Sequence, residues 1–370
     1  MVPKHHPAAR MYADEHLRGA LSRREFLART TSLGVSAAAA YGLIGLAAPQ
    51  PAHAQDKPMG GELRIQQDVR PLKDPRTYDW PQMSNFSRGW LEYLVEYQRD
   101  GSITPMLLES WEINEDATVY ILNVRPGVTW NDGSPFTATD VAYNISRWCD
   151  QNVEGNSMAA RVASLIDPET GEAREGAIEV TDETTVTLNL VNPDITLIAG
   201  FSDYPAAIVK DGFSGDPMEN PVGTGPYLPE ELSVGERAVL VRNTEHDWWG
   251  TEVFGGPYLD RIVYIDYGTD QAAHFAAAES GEVDAVYESL GEFVDLMDTI
   301  GWVRSETVTA NTLVVRPNQN AEIDGMRPYE DVRVRRALAL AVDNAVCLEL
   351  GYAGLGRVAE NHHVCPIHPE

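Results

Sequence analysis

Residues 122–148, LNVRPGVTWNDGSPFTATDVAYNISRW, predict a strand, a tight turn and a capped helix in close succession. Leu122 and Val124 begin an alternation of apolar residues that is typical of a strand, and the Pro-Gly pair that follows ends it. Residues 128–130 resume this alternation as a second short strand. The triplet Asn-Asp-Gly at residues 131–133 favours a tight turn, because these residues accept backbone angles that others avoid.

The helix that follows the turn has both a start signal and an apolar face. Thr137 can cap the first turn of this helix. Asp140, three residues on, can accept a hydrogen bond from the backbone N–H of Thr137, which would form an aspartate version of the capping box. Val141, Ile145 and Trp148 fall on one helical face. The pattern therefore predicts a helix that packs this face inward.

Residues 125–141 resemble the fingerprint of the family 5 extracytoplasmic solute-binding proteins, the peptide- and nickel-type receptors of ABC importers. That fingerprint runs through an arginine or lysine, Pro-Gly, an apolar pair, an aspartate-glycine turn, Pro-Phe-Thr, an acidic residue, valine and a helix. NPVGTGPY at residues 220–227 and DVRVRRAL at residues 331–338 also match the family, in its order. The alternative, a hairpin and helix without functional content, is disfavoured because turn, cap and order all agree.

The resemblance implies an α/β fold, namely the two-lobed periplasmic-binding-protein fold of type II, in its large peptide-receptor subclass. The core of the first lobe is expected in residues 55–89 and 220–310, and an extra subdomain of that lobe in residues 90–219. Residues 311–370 are expected to start the second lobe. Because members of the family continue considerably further, we expect this sequence to be a fragment with an incomplete second lobe.

The resemblance also implies a binding protein rather than an enzyme. Such a protein encloses a small solute between its lobes and delivers it to the membrane permease of an ABC importer. A short peptide is the leading ligand, because the fingerprint is commonest in peptide receptors. No cofactor is expected, and the protein is expected to be a monomer. Two alternatives stay open: a metal or haem carrier, and an exported hydrolase on the same fold.

Length and charge narrow the class of protein further. The 370 residues suggest two or more domains, and a hydrophobic content of 43% is ample for packed cores. Aspartate and glutamate number 56 against 28 lysines and arginines, which gives a formal net charge of −28. Nucleic acids and anionic lipids bind clustered basic residues, so this charge argues against both as partners.

Residues 1–54 have the features of an export signal. Arg23 and Arg24 stand in the sequence Ser-Arg-Arg-Glu-Phe-Leu, which looks like the twin-arginine motif. A modestly apolar run covers residues 36–48, and residues 52–54 offer small side chains for cleavage. The alternative is an uncleaved membrane anchor, which the short, interrupted apolar run disfavours. The sequence therefore predicts a twin-arginine signal peptide and a periplasmic protein.

Candidate ligand contacts follow from the resemblance. In the family, the passage from the first strand into the first helix lies beside the ligand cleft, which here indicates Met83, Ser84 and Asn85. Arg316, where the chain enters the second lobe, can meet an anionic group of the ligand, although a surface arginine fits the same pattern. The sequence also predicts that a helix begins at Ser84 and continues to about residue 95.

The sequence contains none of the common catalytic motifs. Near its end, His362, His363, Cys365 and His368 form a cluster whose ligands suit zinc, copper, nickel or haem iron. Two prolines hold this segment extended, so we favour a polar hinge loop over a metal site. Cys365 can instead pair with Cys347 in an oxidising compartment.

The remaining pattern predicts regular elements on both sides of the central stretch. Asp331 can cap a single long helix that stops at Gly351. Strict alternation predicts a strand at residues 185–190, and apolar runs predict strands at residues 119–124, 238–243 and 262–265.

Overall fold

A computed structural model describes residues 6–48, 57–307 and 314–358 of the chain. In chain order, the helices and strands are α1 (Pro7–Leu17), α2 (Arg23–Ser32), α3 (Ala37–Leu43), β1 (Glu62–Gln66), α4 (Pro81–Ser87), β2 (Val95–Tyr97), β3 (Ile103–Pro105), β4 (Leu108–Ile113), β5 (Val119–Val124), α5 (Ala138–Cys149), β6 (Ile178–Asp182), β7 (Thr185–Asn189), α6 (Leu197–Gly200), β8 (Tyr227–Ser233), β9 (Arg237–Arg242), α7 (Gly250–Phe254), β10 (Arg261–Ile265), α8 (Gln271–Glu279), β11 (Ala285–Val286), α9 (Glu292–Thr299), α10 (Val332–Ala341) and α11 (Asn344–Tyr352). Among the described residues, no helix has the length and apolar character needed to cross a membrane.

The described chain divides into two compact units. Unit 1 contains Thr269 and the described residues before it, together with Val283–Ala285. Unit 2 contains Asp270–Glu282 and the described residues from Val286 onward. Within unit 2, helices α10 and α11 have no buried residue, and Leu340 on α10 is among their exposed apolar side chains.

Two sheets form the framework of the fold. One has five strands in the order β11–β1–β10–β9–β8, with β1 parallel to β10 and β9 antiparallel to both β10 and β8. The other has four antiparallel strands in the order β4–β5–β7–β6. The four strands predicted at residues 119–124, 185–190, 238–243 and 262–265 correspond to β5, β7, β9 and β10, each within one residue at either end. One hydrophobic core, extending along the chain from Val69 to Tyr264, includes side chains of both sheets.

The turn in the central stretch differs from its prediction in one respect. Gly133 takes a left-handed φ of 84°, and its N–H donates to the carbonyl of Trp130 at 2.9 Å. The predicted second strand over residues 128–130 is wrong, because only an isolated bridge joins Thr129 to Pro135. The turn closes so soon after Trp130 that only this one residue pair can bridge.

Helix α5 follows its prediction. The carboxylate of Asp140 accepts hydrogen bonds from the backbone N–H of Thr137 at 2.8 Å and from its hydroxyl at 3.2 Å. Val141, Ile145 and Trp148 are fully buried on one helical face. The pattern in the deciding stretch therefore predicts both the start of this helix and the face that it buries.

The predicted single helix over residues 331–351 is two helices. Asp331 caps α10 as predicted, since its carboxylate accepts from the backbone N–H of Arg333 at 2.8 Å. A second aspartate, Asp343, caps α11 by accepting from the N–H groups of Ala345 and of the residue after it. A residue at an N-cap has non-helical backbone angles, so this second cap interrupts the helix.

Residues 6–48, called the N-terminal cap below, fold as the three helices α1 to α3. These helices pack around a hydrophobic cluster of their own, in which Phe26 and Leu27 are fully buried. Ile113 on β4 packs against the same cluster. The prediction that residues 1–54 are a signal peptide concerns processing, and it stays a prediction.

Candidate functional site

The chain after β1 reaches the site by a path that differs from its prediction. Helix α4 ends at Ser87, so the helix predicted to run from Ser84 to about residue 95 is wrong. Instead, the chain turns and brings Gly89 against Leu240 of β9, where an added Cβ would lie 2.6 Å from the leucine Cδ1. This close packing of backbone on the sheet is not available to a continuous helix carrying side chains.

The three ligand contacts predicted on α4 have different environments. Met83 and Ser84 are buried, and the Ser84 hydroxyl donates to the carbonyl of Pro81 within the helix. Asn85 is half-buried, and its side-chain amide donates to Oε1 of Gln67 at 3.1 Å. Of the three, only Asn85 lines the pocket described next.

A pocket of about 280 Å³ lies within unit 1. Its walls come from residues 85–106 and from the five-stranded sheet, together with Trp248. Its polar and aromatic side chains belong to Asn85, Arg88, Glu92, Tyr93, Glu96, Tyr227, Trp248 and Tyr264. Burial raises the pKa of Tyr264 to about 12, and its hydroxyl donates to the Asn85 carbonyl at 2.9 Å. An apolar wall with a few polar groups is usual for small-ligand sites.

The loop at residues 223–225, Gly-Thr-Gly, lies directly on the backbone of residues 89–90. The N–H of Gly225 donates to the carbonyl of Trp90 at 3.0 Å. An added Cβ at Gly223 would lie 1.9 Å from the same carbonyl oxygen, so only glycine fits. The loop therefore fixes the turn that carries the pocket side chains after α4.

Arg88 supplies the positive charge of the pocket. Its guanidinium stacks on the ring of Tyr93, with Cζ 4.1 Å from the ring centroid. Tyr93 is itself held in place, because its hydroxyl donates to the carbonyl of Tyr204 at 2.8 Å. Within the described part of the chain, no carboxylate forms an ion pair with Arg88. Its N–H groups are therefore available to an anionic group of a ligand.

The carboxylate of Glu92, by contrast, forms its hydrogen bonds with other side chains of the protein. Its carboxylate is 6% exposed and accepts hydrogen bonds from the indole N–H of Trp248 at 3.0 Å and of Trp249 at 2.7 Å. Burial raises the pKa of Glu92, although these hydrogen bonds favour the charged form. The Arg125 guanidinium stacks on Trp249 at 4.6 Å. This group of side chains holds Trp248 in the pocket wall.

Changing Glu92 to glutamine should remove the loss of stability that wild type shows as the pH rises above 4.5. The folded-state pKa of Glu92 lies above its ordinary value of 4.5, so its contribution to stability is full below pH 4.5 and is lost as the pH rises through the folded-state pKa. Each unit of raised pKa corresponds to about 1.4 kcal/mol. Urea unfolding across this pH range should show wild type losing stability relative to Glu92→Gln. Glu236→Gln, at an exposed turn, is the control, and parallel profiles for wild type and Glu92→Gln would contradict the argument.

The other predicted site residues lie elsewhere. Arg316 is exposed and belongs to unit 2. The predicted metal ligands and the second partner of Cys347 lie outside the described residues: His362, His363, Cys365 and His368. Within residues 6–48, 57–307 and 314–358, no three His, Cys, Asp or Glu side chains group closely enough to hold a metal ion.

Three pocket residues, Arg88, Tyr93 and Trp248, were not among the residues predicted from the sequence. The sequence offered one signal for Arg88, namely that it lies three residues after Asn85 in the same segment. Nothing local in the sequence indicated that this segment meets Trp248.

The family model for bacterial extracellular solute-binding proteins, family 5 Middle, matches residues 102–369. The periplasmic oligopeptide-binding protein OppA of Salmonella typhimurium is 27% identical over 329 residues, which cover 82% of this chain and 58% of the relative. Heme-binding protein A of Haemophilus influenzae is 25% identical over 285 residues, covering 72% of this chain and 50% of the relative. The chain therefore spans only about half to three-fifths of the length of these relatives.

Solved structures show a similar fold. The Escherichia coli murein tripeptide binding protein MppA matches with a TM-score of 0.63 and 20% identity, over 78% of this chain and 57% of that protein. This likeness confirms the predicted fold class, an α/β fold of the two-lobed type II kind. Members of the matched family are binding proteins, not enzymes. Because the family match covers well over half of its length, this chain belongs to the bacterial extracellular solute-binding proteins of family 5.

Proposed function

We propose that this protein is the periplasmic substrate-binding component of an ABC importer, and that its ligand is a short peptide. The peptide is enclosed between two lobes, and ligand that contacts both lobes shifts the population towards the closed form. The permease of the importer then receives the ligand. The similarity to OppA and MppA, whose names specify oligopeptides and a murein tripeptide, supports a peptide as ligand.

The observation that carries this proposal is the guanidinium of Arg88, which lines the pocket beside aromatic rings and has no ion pair with any residue that the structure describes. Tyr93 holds the guanidinium by stacking, at 4.1 Å, a contact that does not use its N–H groups. A peptide offers a carboxylate at its C-terminus, which an arginine can bind through two parallel hydrogen bonds. Trp248 and Tyr264 supply apolar surface for a neighbouring side chain of the same peptide.

Isothermal titration of the purified protein with di- to pentapeptides tests the ligand class. The same peptides with amidated C-termini are the matched ligands, because amidation removes the negative charge and leaves the rest unchanged. We expect binding of the free peptides and weaker binding of the amides. Nickel, haem and oligosaccharides form the comparison set, and tight binding only to one of these would refute the peptide proposal.

Changing Arg88 to glutamine should weaken peptide binding about tenfold to a hundredfold, because a hydrogen bond to a charged group contributes about 1.5–3 kcal/mol. Arg70→Gln is a matched control: Arg70 also stacks on an aromatic ring, that of Trp80 at 4.2 Å, but it already has an ion pair with Asp68 at 2.8 Å. Titration should give the control the affinity of wild type. Equal affinities for wild type and Arg88→Gln would exclude Arg88 as a ligand contact.

A second candidate is a metal or haem carrier, favoured by the similarity to heme-binding protein A. The cluster His362, His363, Cys365 and His368 would then supply the ligands. Metal and haem content of the purified protein should be unchanged when the three histidines become alanine, if this segment is a polar hinge loop. Loss of a stoichiometric metal or haem in that variant would favour the carrier.

A further inference from the structure

The N-terminal cap is attached to the rest of unit 1 by hydrogen bonds at buried positions. Thr31 on α2 is fully buried, and its hydroxyl oxygen accepts from the backbone N–H of Ile103 on β3 at 2.9 Å. Trp111 on β4 is 4% exposed and donates its indole N–H to the carbonyl of Ser32 at 2.9 Å. Such contacts specify one arrangement, because removing one partner leaves the other buried without a hydrogen bond.

Close backbone packing accompanies these hydrogen bonds. Gly34, just after α2, lies against Trp111 so closely that an added Cβ would be 2.4 Å from the tryptophan carbonyl oxygen. Gly101, in the turn between β2 and β3, lies against Arg24, where an added Cβ would be 2.5 Å from the arginine Cγ. The two contacts join the cap to β4 and to the turn between β2 and β3. The cap is therefore docked along a continuous surface.

Docking engages one arginine of the twin-arginine pair. Nη1 of Arg24 donates to the carbonyl of Arg99 at 2.7 Å, and its guanidinium lies over the ring of Tyr97, with Cζ 5.4 Å from the centroid. Arg23, the other member of the pair, is exposed. Arg24 is half-buried, and its hydrogen bond to Arg99 lies at the surface. A partner that binds both guanidinium groups must therefore displace the contacts of Arg24 with Arg99 and Tyr97.

We propose that the docked cap is an autoinhibitory element that withholds the twin-arginine pair from the export machinery. A receptor that binds both arginines engages them only after α2 lifts from β3 and β4. Its apparent affinity is then reduced by the fraction of molecules in which the cap is lifted. The inhibitory role rests on the proposed export signal in residues 1–54, whereas docking itself does not.

The substitution Thr31→Val tests docking without touching either arginine. Valine keeps the shape of the side chain but removes the hydroxyl acceptor. The backbone N–H of Ile103 is then left without its hydrogen-bond partner. Thr30→Val is the matched control: Thr30 is equally buried on the same helix, and its hydroxyl has no hydrogen-bond partner in the described structure. Tryptic cleavage after Arg24 in the intact chain, followed by mass spectrometry, should be about tenfold faster in Thr31→Val than in wild type. The control should be cleaved at the wild-type rate.

Export of the same precursors gives the second measurement. The rate at which protein appears in the periplasm should rise several-fold for Thr31→Val and stay unchanged for Thr30→Val. Equal tryptic cleavage of Thr31→Val and wild type would disprove docking, and faster cleavage without faster export would disprove inhibition.

Replacing Arg23 and Arg24 with lysine separates the proposal of an inhibitory cap from the proposal of a twin-arginine signal. If that precursor is exported normally, the twin-arginine signal is wrong, while the cleavage result still decides whether the cap docks.

Discussion

Replacing Gly223 with alanine should lower the free energy of unfolding by about 4 kcal/mol or more, one of the largest effects expected of a single added methyl group. The new Cβ would lie 1.9 Å from the carbonyl oxygen of Trp90. Trp90 is fully buried in the main core, so its backbone cannot move aside without disturbing that core. The φ of Gly223 is outside the left-handed region, and the cost is therefore steric. Denaturant unfolding followed by circular dichroism measures it.

Alanine substitutions at two other glycines provide a comparison for the stability loss expected at Gly223. Gly225→Ala should cost less, because its Cβ would lie 2.7 Å from the Gly89 carbonyl oxygen rather than 1.9 Å. Gly42→Ala, on an exposed part of α3 with no atom within 4 Å of the new Cβ, should be neutral or stabilising by up to about 1 kcal/mol. If Gly223→Ala were as stable as Gly42→Ala, the loop could not lie on the turn after α4 as described.

Truncating Trp148 to alanine should cost about 3–5 kcal/mol. The side chain is fully buried on α5, and its ring centroid is 5.5 Å from that of Phe201. Its indole N–H has no hydrogen-bond partner among the described residues, so packing carries most of its contribution. Trp148→Phe keeps much of this packing and should cost clearly less. Trp80→Ala is the exposed control at 48% exposure, and equal losses at the two tryptophans would contradict the assignment of Trp148 to the core.

The elements predicted correctly are those that local pattern determines. Alternation at Leu122 and Val124 placed β5, and the Thr137–Asp140 pair placed the start of α5. The single helix predicted near the end of the chain was wrong because Asp343 caps a second helix inside an otherwise periodic apolar run. Local competition between two caps is difficult to resolve from one sequence, since each alone is a valid helix start.

The pocket shows why site residues are harder to predict than elements. Asn85 was predicted from the family resemblance, in which its segment lies beside the ligand cleft, and it lines the pocket. Glu92 and Trp248 are separated by 156 positions, and their hydrogen bond exists only because the turn after α4 packs on the sheet. That turn replaces the helix predicted from Ser84 to about residue 95, so the residues after Ser87 do not have the helical arrangement that was expected. The stacking of Arg88 on Tyr93 follows from the same turn.

Strand β4 forms the outer edge of the four-stranded sheet, and the N-terminal cap covers it at Trp111 and Ile113. An uncovered edge strand presents backbone N–H and carbonyl groups that another chain can pair with, and apolar side chains beside them strengthen that association. A chain without residues 6–48 would leave this edge uncovered and able to pair with another chain. Removal of the N-terminal cap should therefore make self-association of the protein depend steeply on protein concentration.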